Sequence, residues 1–320
     1  MVIPLLALLA ALAAPAAANA RTADRVVAIH RKIADPNGGL VVVAHRGCHA
    51  AAPAHKLASA PENSLAALDN CVALGVDVME TDVRRGVDGS LVMIHDATLD
   101  RTTDGTGLVA TMALAQLRKV RLRADLGGTA APVTDAHIVT LDEMLAHAKG
   151  RIVLNLDIKD AIHAEVIDAV IRAGAQDGVI VKTTAGDQSK PLTPMQPFNL
   201  VPFMPILRFS GDERQLLDVA RIQLSGSRKP IGFELPRLSP AIMPALAEMA
   251  RKNRIRLWLN TLDNGYIAEL GGDNQALADP ARVWGSIRRL GVSMIQTDNP
   301  EALIAYEAGT ASRVPAAAAR

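Results

Sequence analysis

The feature that most limits the fold is a rhythm of short, unbroken apolar runs separated by helical patterns. The first run, Leu40-Val41-Val42-Val43-Ala44, is rich in β-branched residues and shows no alternation of apolar with polar positions. A strand of that kind is covered on both faces, as in a parallel sheet flanked by helices. Runs of comparable length lie at 76–83, 91–94, 152–158, 179–182, 202–207, 231–234, 255–260 and 293–297. Between most of them the apolar spacing is helical, for example over 216–222, 242–251 and 280–290. Nine candidate strands are one too many for an eight-stranded closed barrel. Asp88-Gly89, just before the third run, is a strong two-residue hairpin signal. Residues 91–94 are therefore read as a returning arm, and the expected fold is an α/β (βα)₈ TIM barrel with a β-hairpin extension after strand 2.

The 320 residues suffice for one such domain, expected over 21–310. Residues 21–37 suggest a short helix outside the core, with Ile29 and Ile33 four apart. Glu62-Asn63-Ser64 supplies helix-start chemistry, after which Leu65, Leu68 and Val72 share a face. From 97 to 140 the rhythm gives way to a polar, Thr- and Gly-rich stretch with a short helical pattern at 112–119. We read it as a small insertion folded over the barrel mouth. Residues 1–20 carry no charge and end in Ala18-Asn19-Ala20, the small-x-small pattern of a secretory cleavage site. Cleavage is expected after Ala20, giving a secreted or periplasmic protein with no stable membrane insertion. Residues 311–320 read as a flexible tail. In such a compartment Cys48 and Cys71 are either bridged or two part-buried thiols, and spacing does not choose between them. With 34 basic and 33 acidic residues, the net charge of +1 provides no global field for nucleic acid or anionic membranes.

The chemistry-bearing residues fall at strand ends, where active sites of such barrels form. His45, Glu80, Asp82 and Asp157 sit at or near the ends of the first three barrel strands, and the hairpin returns His95 to that level. With Asp88 and Gly89 as the two loop residues, His95 faces Asp82 across the ladder, with Cβ atoms about 5 Å apart. Three converging carboxylates repel one another unless a cation neutralises them, and all-oxygen ligation suits Ca²⁺ or Mg²⁺. Taken singly, each carboxylate reads as a solvated strand end and His45 as a satisfied core histidine. The concentration of two histidines, three carboxylates, Arg46 and Lys159 on one rim favours a site. His30, His137, His147 and His163 belong to no cluster, and His49 and His55 read as surface loop residues.

The ordered blocks His45-Arg46-Gly47, Pro61-Glu62-Asn63-Ser64, Glu80-Thr81-Asp82, Asp88-Gly89, His95-Asp96 and Asp100-Arg101-Thr102-Thr103 resemble the signature of glycerophosphodiester phosphodiesterases. The likeness continues through Asp157-Ile158-Lys159 and Thr297-Asp298-Asn299-Pro300. It implies a barrel that cleaves glycerophosphodiesters to glycerol 3-phosphate and an alcohol with one divalent cation. By that resemblance His45 and His95 match the catalytic acid/base pair, and Glu80, Asp82 and Asp157 match metal ligands. Arg46 and Lys159 match residues around the phosphate, and Trp258 matches a substrate-binding tryptophan. The nucleophile is either water or the substrate's own glycerol 2-hydroxyl. Three departures stand out: a long loop at 48–60, Asp157 in place of the usual Glu, and Leu257-Trp258-Leu259-Asn260 in place of Trp-Thr-Val-Asn. Two other readings stay open. One is a phospholipase-type phosphodiesterase acting on intact lipids, for which Phe198 and Phe203 in the 191–205 tract are the hint. The other is a secreted binding barrel without catalysis.

Overall fold

The computed structural model describes residues 25–263 and 265–309, so the expectations for residues 1–20 and 311–320 lie outside the described residues. In chain order the strands are β1 (Val41–Ala44), β2 (Val78–Arg85), β3 (Leu91–Met93), β4 (Arg121–Arg123), β5 (Val133–His137), β6 (Val153–Ile158), β7 (Val179–Ala185), β8 (Phe203–Leu207), β9 (Gly232–Glu234), β10 (Arg256–Asn260) and β11 (Met294–Thr297). Eight of them are parallel and run β1-β2-β6-β7-β8-β9-β10-β11 around a ring, which closes where β11 pairs with β1. The TIM barrel expected from the apolar runs is the observed fold.

Strand alternation turns the sequence pattern into two layers inside the ring. The lower inward row, including Val41, Val43, Val78, Val153, Ile180 and Trp258, forms one buried apolar cluster. Two positions further along the same strands stand His45, Glu80, Asn155, Lys182 and Asn260. The barrel is therefore apolar below and polar above. Burying each lower Val contributes about 1.5–3 kcal/mol, which anchors the strands that carry the polar layer.

Residues 25–34 form a helix, but not outside the core as expected. Val26, Ile29 and Ile33 are buried in the lower inner cluster, so this helix stops the barrel's N-terminal end. Arg256, two residues before Trp258 on β10, fastens it. Its buried guanidinium donates to the carbonyls of Ile33 at 3.1 Å, Gly39 at 2.8 Å and Ser293 at 3.2 Å, and also to those of Lys32 and Asp35. The last carbonyls of a helix lack intrahelical donors, and Arg256 supplies them.

Around the ring, helices start where local chemistry permits. Ser64 caps α2 (Leu65–Leu74; the 25–34 helix is α1), its Oγ accepting from the Ala67 N–H at 3.1 Å. Thr140 and Glu143 form a reciprocal capping box on the helix Leu141–Ala148. The inserted stretch holds its own small core of Leu99, Val109, Leu117, Leu122 and Ile138 against Val92 and Ile94. It also contains β4 and β5, which the sequence reading did not anticipate: each is short and half exposed, and β4 has one apolar residue between two arginines.

The hairpin register differs from the expected one. Arg85 pairs with Leu91 and Val83 with Met93, and the Gly86 N–H donates to the Ser90 carbonyl at 2.9 Å. The loop is thus the three residues Val87-Asp88-Gly89, with Gly89 at φ +82° in the left-handed position of a bulged turn. Ile94, not His95, lies opposite Asp82, donating its N–H to the Asp82 carbonyl at 3.1 Å. A slip of one residue moves side chains to the other face. His95 still reaches the rim because the strand ends at Met93 and the chain turns away there.

Candidate active site

Six of the eight proposed site residues, His45, Arg46, Glu80, His95, Asp157 and Lys159, line one cavity of about 470 Å³ at the C-terminal end of the barrel. Asp82, 1% exposed, lies beneath them. Trp258 is not part of the cavity wall. It is fully buried in the apolar layer, donates its Nε1–H to Asn260 at 2.8 Å, and lies under the Lys182 ammonium at 4.2 Å. The expectation that Trp258 touches substrate is corrected by its depth: Asn260, one inward step higher, lines the cavity instead.

The carboxylates of Glu80, Asp82 and Asp157 converge, each presenting an oxygen within 4.8 Å of the others. Parallel pairing in register explains this, because Asp82 lies beside Asp157 and Glu80 is one inward position before Asp82. Burial, followed by repulsion from Asp82 and Asp157, pushes the Glu80 carboxyl well above the usual carboxylate range. For Asp82 burial acts in the same direction, but Lys159, His95 and Arg46 outweigh it and hold the pKa below the ordinary value. Lys159 is drawn into the cluster, its ammonium 2.7 Å from Asp157 Oδ2 and 3.0 Å from Asp82 Oδ1. Burial opposes the Lys159 charge, and these two carboxylates nevertheless raise its pKa. Asp82 Oδ1 is buried, with the Lys159 ammonium as its ion-pair partner. An all-oxygen donor set of three converging carboxylates fits a hard divalent cation.

The block Pro61 to Ser64 does more than start a helix. Asn63, in the left-handed region at φ +57°, donates to Asp82 Oδ2 at 2.9 Å and accepts from Thr81 Oγ1 at 2.7 Å and the Asp82 N–H at 2.9 Å. Glu62, 3% exposed, binds Arg46 at 3.1 Å and takes a two-pronged contact from Arg101 at 2.7 and 2.9 Å. Arg46 in turn donates its backbone N–H to Glu80 Oε2 at 2.7 Å and adopts φ +51°, a strained value of the kind that clusters at functional sites. The following Gly47 tolerates no side chain: a Cβ there meets Ala67 Cβ and Met79 Cε at 2.8 Å. Polar residues buried just before a helix cap were the available signal for Glu62 and Asn63.

Each rim histidine donates from Nδ1 to a carboxylate. His45 binds Asp298 Oδ1 at 2.7 Å, and His95 binds Asp96 Oδ1 at 2.7 Å. An acceptor on Nδ1 sets the neutral tautomer, leaving Nε2 as the ring nitrogen able to exchange protons. Burial lowers the His95 pKa, with Lys159 and Arg46 adding to that effect against Asp82 and Asp96. His49 is no surface residue, contrary to expectation: it is 2% exposed and bound to both Asp125 and Asp298. His55, whose side chain is 45% exposed, pairs with Glu301 at 2.7 Å. Lys182 and Glu234, a buried ion pair reaching the cavity, were also missed, because each stands alone in an apolar strand.

A polar-topped parallel barrel with a carboxylate cluster and two carboxylate-tethered histidines is an arrangement with the donor groups to hold a cation and the ring nitrogens to exchange protons. Comparison with known proteins narrows the reading. Residues 45–302 match the model of the glycerophosphoryl diester phosphodiesterase family, and the chain belongs to that family. A glycerophosphodiester phosphodiesterase of Caldanaerobacter subterraneus subsp. tengcongensis is 26% identical over 82% of this chain and 96% of its own length. A probable glycerophosphodiester phosphodiesterase 1 of Mycobacterium tuberculosis is 44% identical over 107 residues, and the chain spans only 36% of that relative's length. Among solved structures, a glycerophosphodiester phosphodiesterase from Agrobacterium tumefaciens aligns with TM-score 0.58 and 26% identity, covering 83% of this chain and 99% of the other. An Oleispira antarctica phosphodiesterase, in complex with the product sn-glycerol-3-phosphate, shares the fold at TM-score 0.56 and 18% identity over 83% of this chain and 96% of the other.

Proposed function

We propose that this protein hydrolyses glycerophosphodiesters to glycerol 3-phosphate and an alcohol, using His45 and His95 as general acid and base and one divalent cation, Ca²⁺ or Mg²⁺. One observation carries the reading: three carboxylates converge in the cavity whose rim holds both histidines, each tethered through Nδ1. Glu80, Asp82 and Asp157 hold the cation, which supplies Lewis-acid stabilisation of phosphoryl oxygen charge when bound. Arg46 and Lys159 offset the remaining phosphate charge from the cavity wall. Of the two histidines, one takes a proton from the nucleophile and the other gives one to the leaving alkoxide, through their free Nε2 atoms.

The two phenylalanines that suggested a lipid substrate do not project outward. Phe203 is buried, and Phe198 packs on it with ring centroids 4.6 Å apart. No helix among the described residues is long and apolar enough to cross a membrane. The apolar stretch that ends in Ala18-Asn19-Ala20 and the Cys48–Cys71 disulfide, with Cα atoms 5.1 Å apart, support export to a secreted or periplasmic location. The test of function is glycerol 3-phosphate release from soluble glycerophosphodiesters, compared with hydrolysis of intact phospholipid in micelles. Turnover of the micellar lipid alone contradicts the proposal.

A further inference from the structure

His49 takes no part in the proton transfers just described, yet it is more firmly held than either rim histidine. Its Nδ1 meets Asp125 Oδ1 of the inserted stretch, and its Nε2 meets Asp298 Oδ1 at 3.0 Å. A neutral imidazole has one N–H to donate, so a ring with an ionised carboxylate on each nitrogen carries both protons. Burial opposes that charge, but the hydrogen bonds to Asp125 and Asp298 outweigh it and raise the pKa to about 9. Asp298 Oδ1 is also the atom that accepts from His45 Nδ1. The backbone N–H of Asp298 donates to Asp273 Oδ2 at 2.7 Å, and burial pushes the Asp273 carboxyl up to about 7. Asp298 is thus fixed from below by Asp273 and from the side by His49. The chain just before His49 is tied to helix α2 by the Cys48–Cys71 disulfide.

We propose that His49 is a positioning residue: a buried imidazolium that clamps Asp298, and through it the His45 ring, to the inserted segment at Asp125. This rests on the reading of His45 as a catalytic acid or base. The charged groups facing His49 are Asp125 and Asp298. Those sharing the cavity with His45 are Arg46, Glu80, His95, Asp157, Lys159, Lys182, Arg208, Glu234 and Asp263, besides its partner Asp298. The trio His45, His49 and Asp298 has atoms close enough to hold a metal. A metal needs an unprotonated ring nitrogen, whereas both His49 nitrogens are aimed at carboxylates, which favours the clamp.

The experiment is a ¹⁵N-histidine NMR titration of the full chain with Mg²⁺ present, paired with steady-state kinetics on glycerophosphocholine. His49 is expected to remain doubly protonated through pH 8 and to titrate near 9. Asp125→Asn, at a side chain 55% exposed, should lower that midpoint by about 1 pH unit or more. His49→Gln keeps a donor toward Asp298 without the charge, and should lower kcat about tenfold with KM within about twofold. Asp125→Asn should lower kcat less, and Asp125→Glu should restore it. A His49 midpoint near that of a free histidine overturns the proposal, as does a folded His49→Gln enzyme with unaltered kcat. Should His49→Gln not fold, equal kcat for Asp125→Asn and the unsubstituted enzyme overturns it. Full turnover by His45→Ala defeats the acid-base assignment of His45 and the positioning role that rests on it. A His49 midpoint near 9 in that case shows that the charge bridge itself is intact, which separates the two failures.

Discussion

The two rim histidines are held by arms of one plan and different make. In one, His95 donates to Asp96, and Asp96 accepts from Arg101 through Nε and Nη2, both at 2.8 Å. In the other, His45 donates to Asp298, and Asp298 accepts from His49. Each aspartate is held well below the usual carboxylate range: for Asp96 the Arg101 hydrogen bond is the leading cause, and for Asp298 the two histidines overcome burial. The difference is the backing cation. Arg101 is charged at every accessible pH and forks onto both Asp96 and Glu62, whereas His49 can lose its charge. Both arms end in the inserted stretch, which contributes Arg101 to one and Asp125 to the other. That stretch is therefore part of the electrostatic frame of the site.

The largest expected effect comes from cutting the arms at their tips. His45→Ala and His95→Ala should each lower kcat by about 10² to 10⁴, with circular dichroism unchanged. Further back, Asp298→Asn and Asp96→Asn should each lower kcat about 10- to 100-fold, the worth of a hydrogen bond to a charged group. Asp298→Asn should also lower the unfolding free energy more than Asp96→Asn, because it strips a partner from a buried imidazolium. The titratable arm predicts a pH dependence that the arginine arm lacks. The His49 pKa is raised from 6.5 to about 9 on folding, so its stabilisation is fully present below 6.5 and is lost as pH rises through 9. Denaturant unfolding at pH 7 and pH 10 should reveal a loss of up to about 3 kcal/mol, and Asp125→Asn should shift its onset to lower pH. Arg101→Lys, which breaks the fork but keeps the charge, should cost about 1–2 kcal/mol in the same assay. The smallest effect is expected from His55→Ala: its half-exposed pair with Glu301 belongs to neither arm, so stability should fall by less than about 1 kcal/mol with kcat unaltered.

The same comparison shows what the sequence made legible. Unbroken β-branched runs such as Val41 to Ala44 mark strands because burial on both faces demands them, and the barrel followed from their number and spacing. His45, Glu80, Asp82 and Asp157 were found because ionisable groups at strand ends share one rim whenever the strands are parallel and in register. Depth along a strand is not carried by alternation alone: Trp258 has the inward parity of Asn260 but lies one layer lower, in the apolar half. The hairpin was found and its register missed, since Asp88-Gly89 suits both a two-residue turn and the end of a three-residue bulged loop. His49 escaped because its partners, Asp125 and Asp298, are 76 and 249 residues away. A polar residue whose satisfaction is entirely long-range has no local signature.

The central claim, a cation-assisted phosphodiesterase whose proton transfers run through two tethered histidines, is tested most directly by one assay. Purified protein is stripped with a chelator and then given Ca²⁺ or Mg²⁺, with glycerol 3-phosphate release from glycerophosphocholine followed in the unsubstituted enzyme and in His95→Ala. The account predicts no release from the stripped enzyme, recovery with one of the two ions, and no recovery of His95→Ala by either. Unchanged release after stripping, or full recovery of His95→Ala, contradicts it.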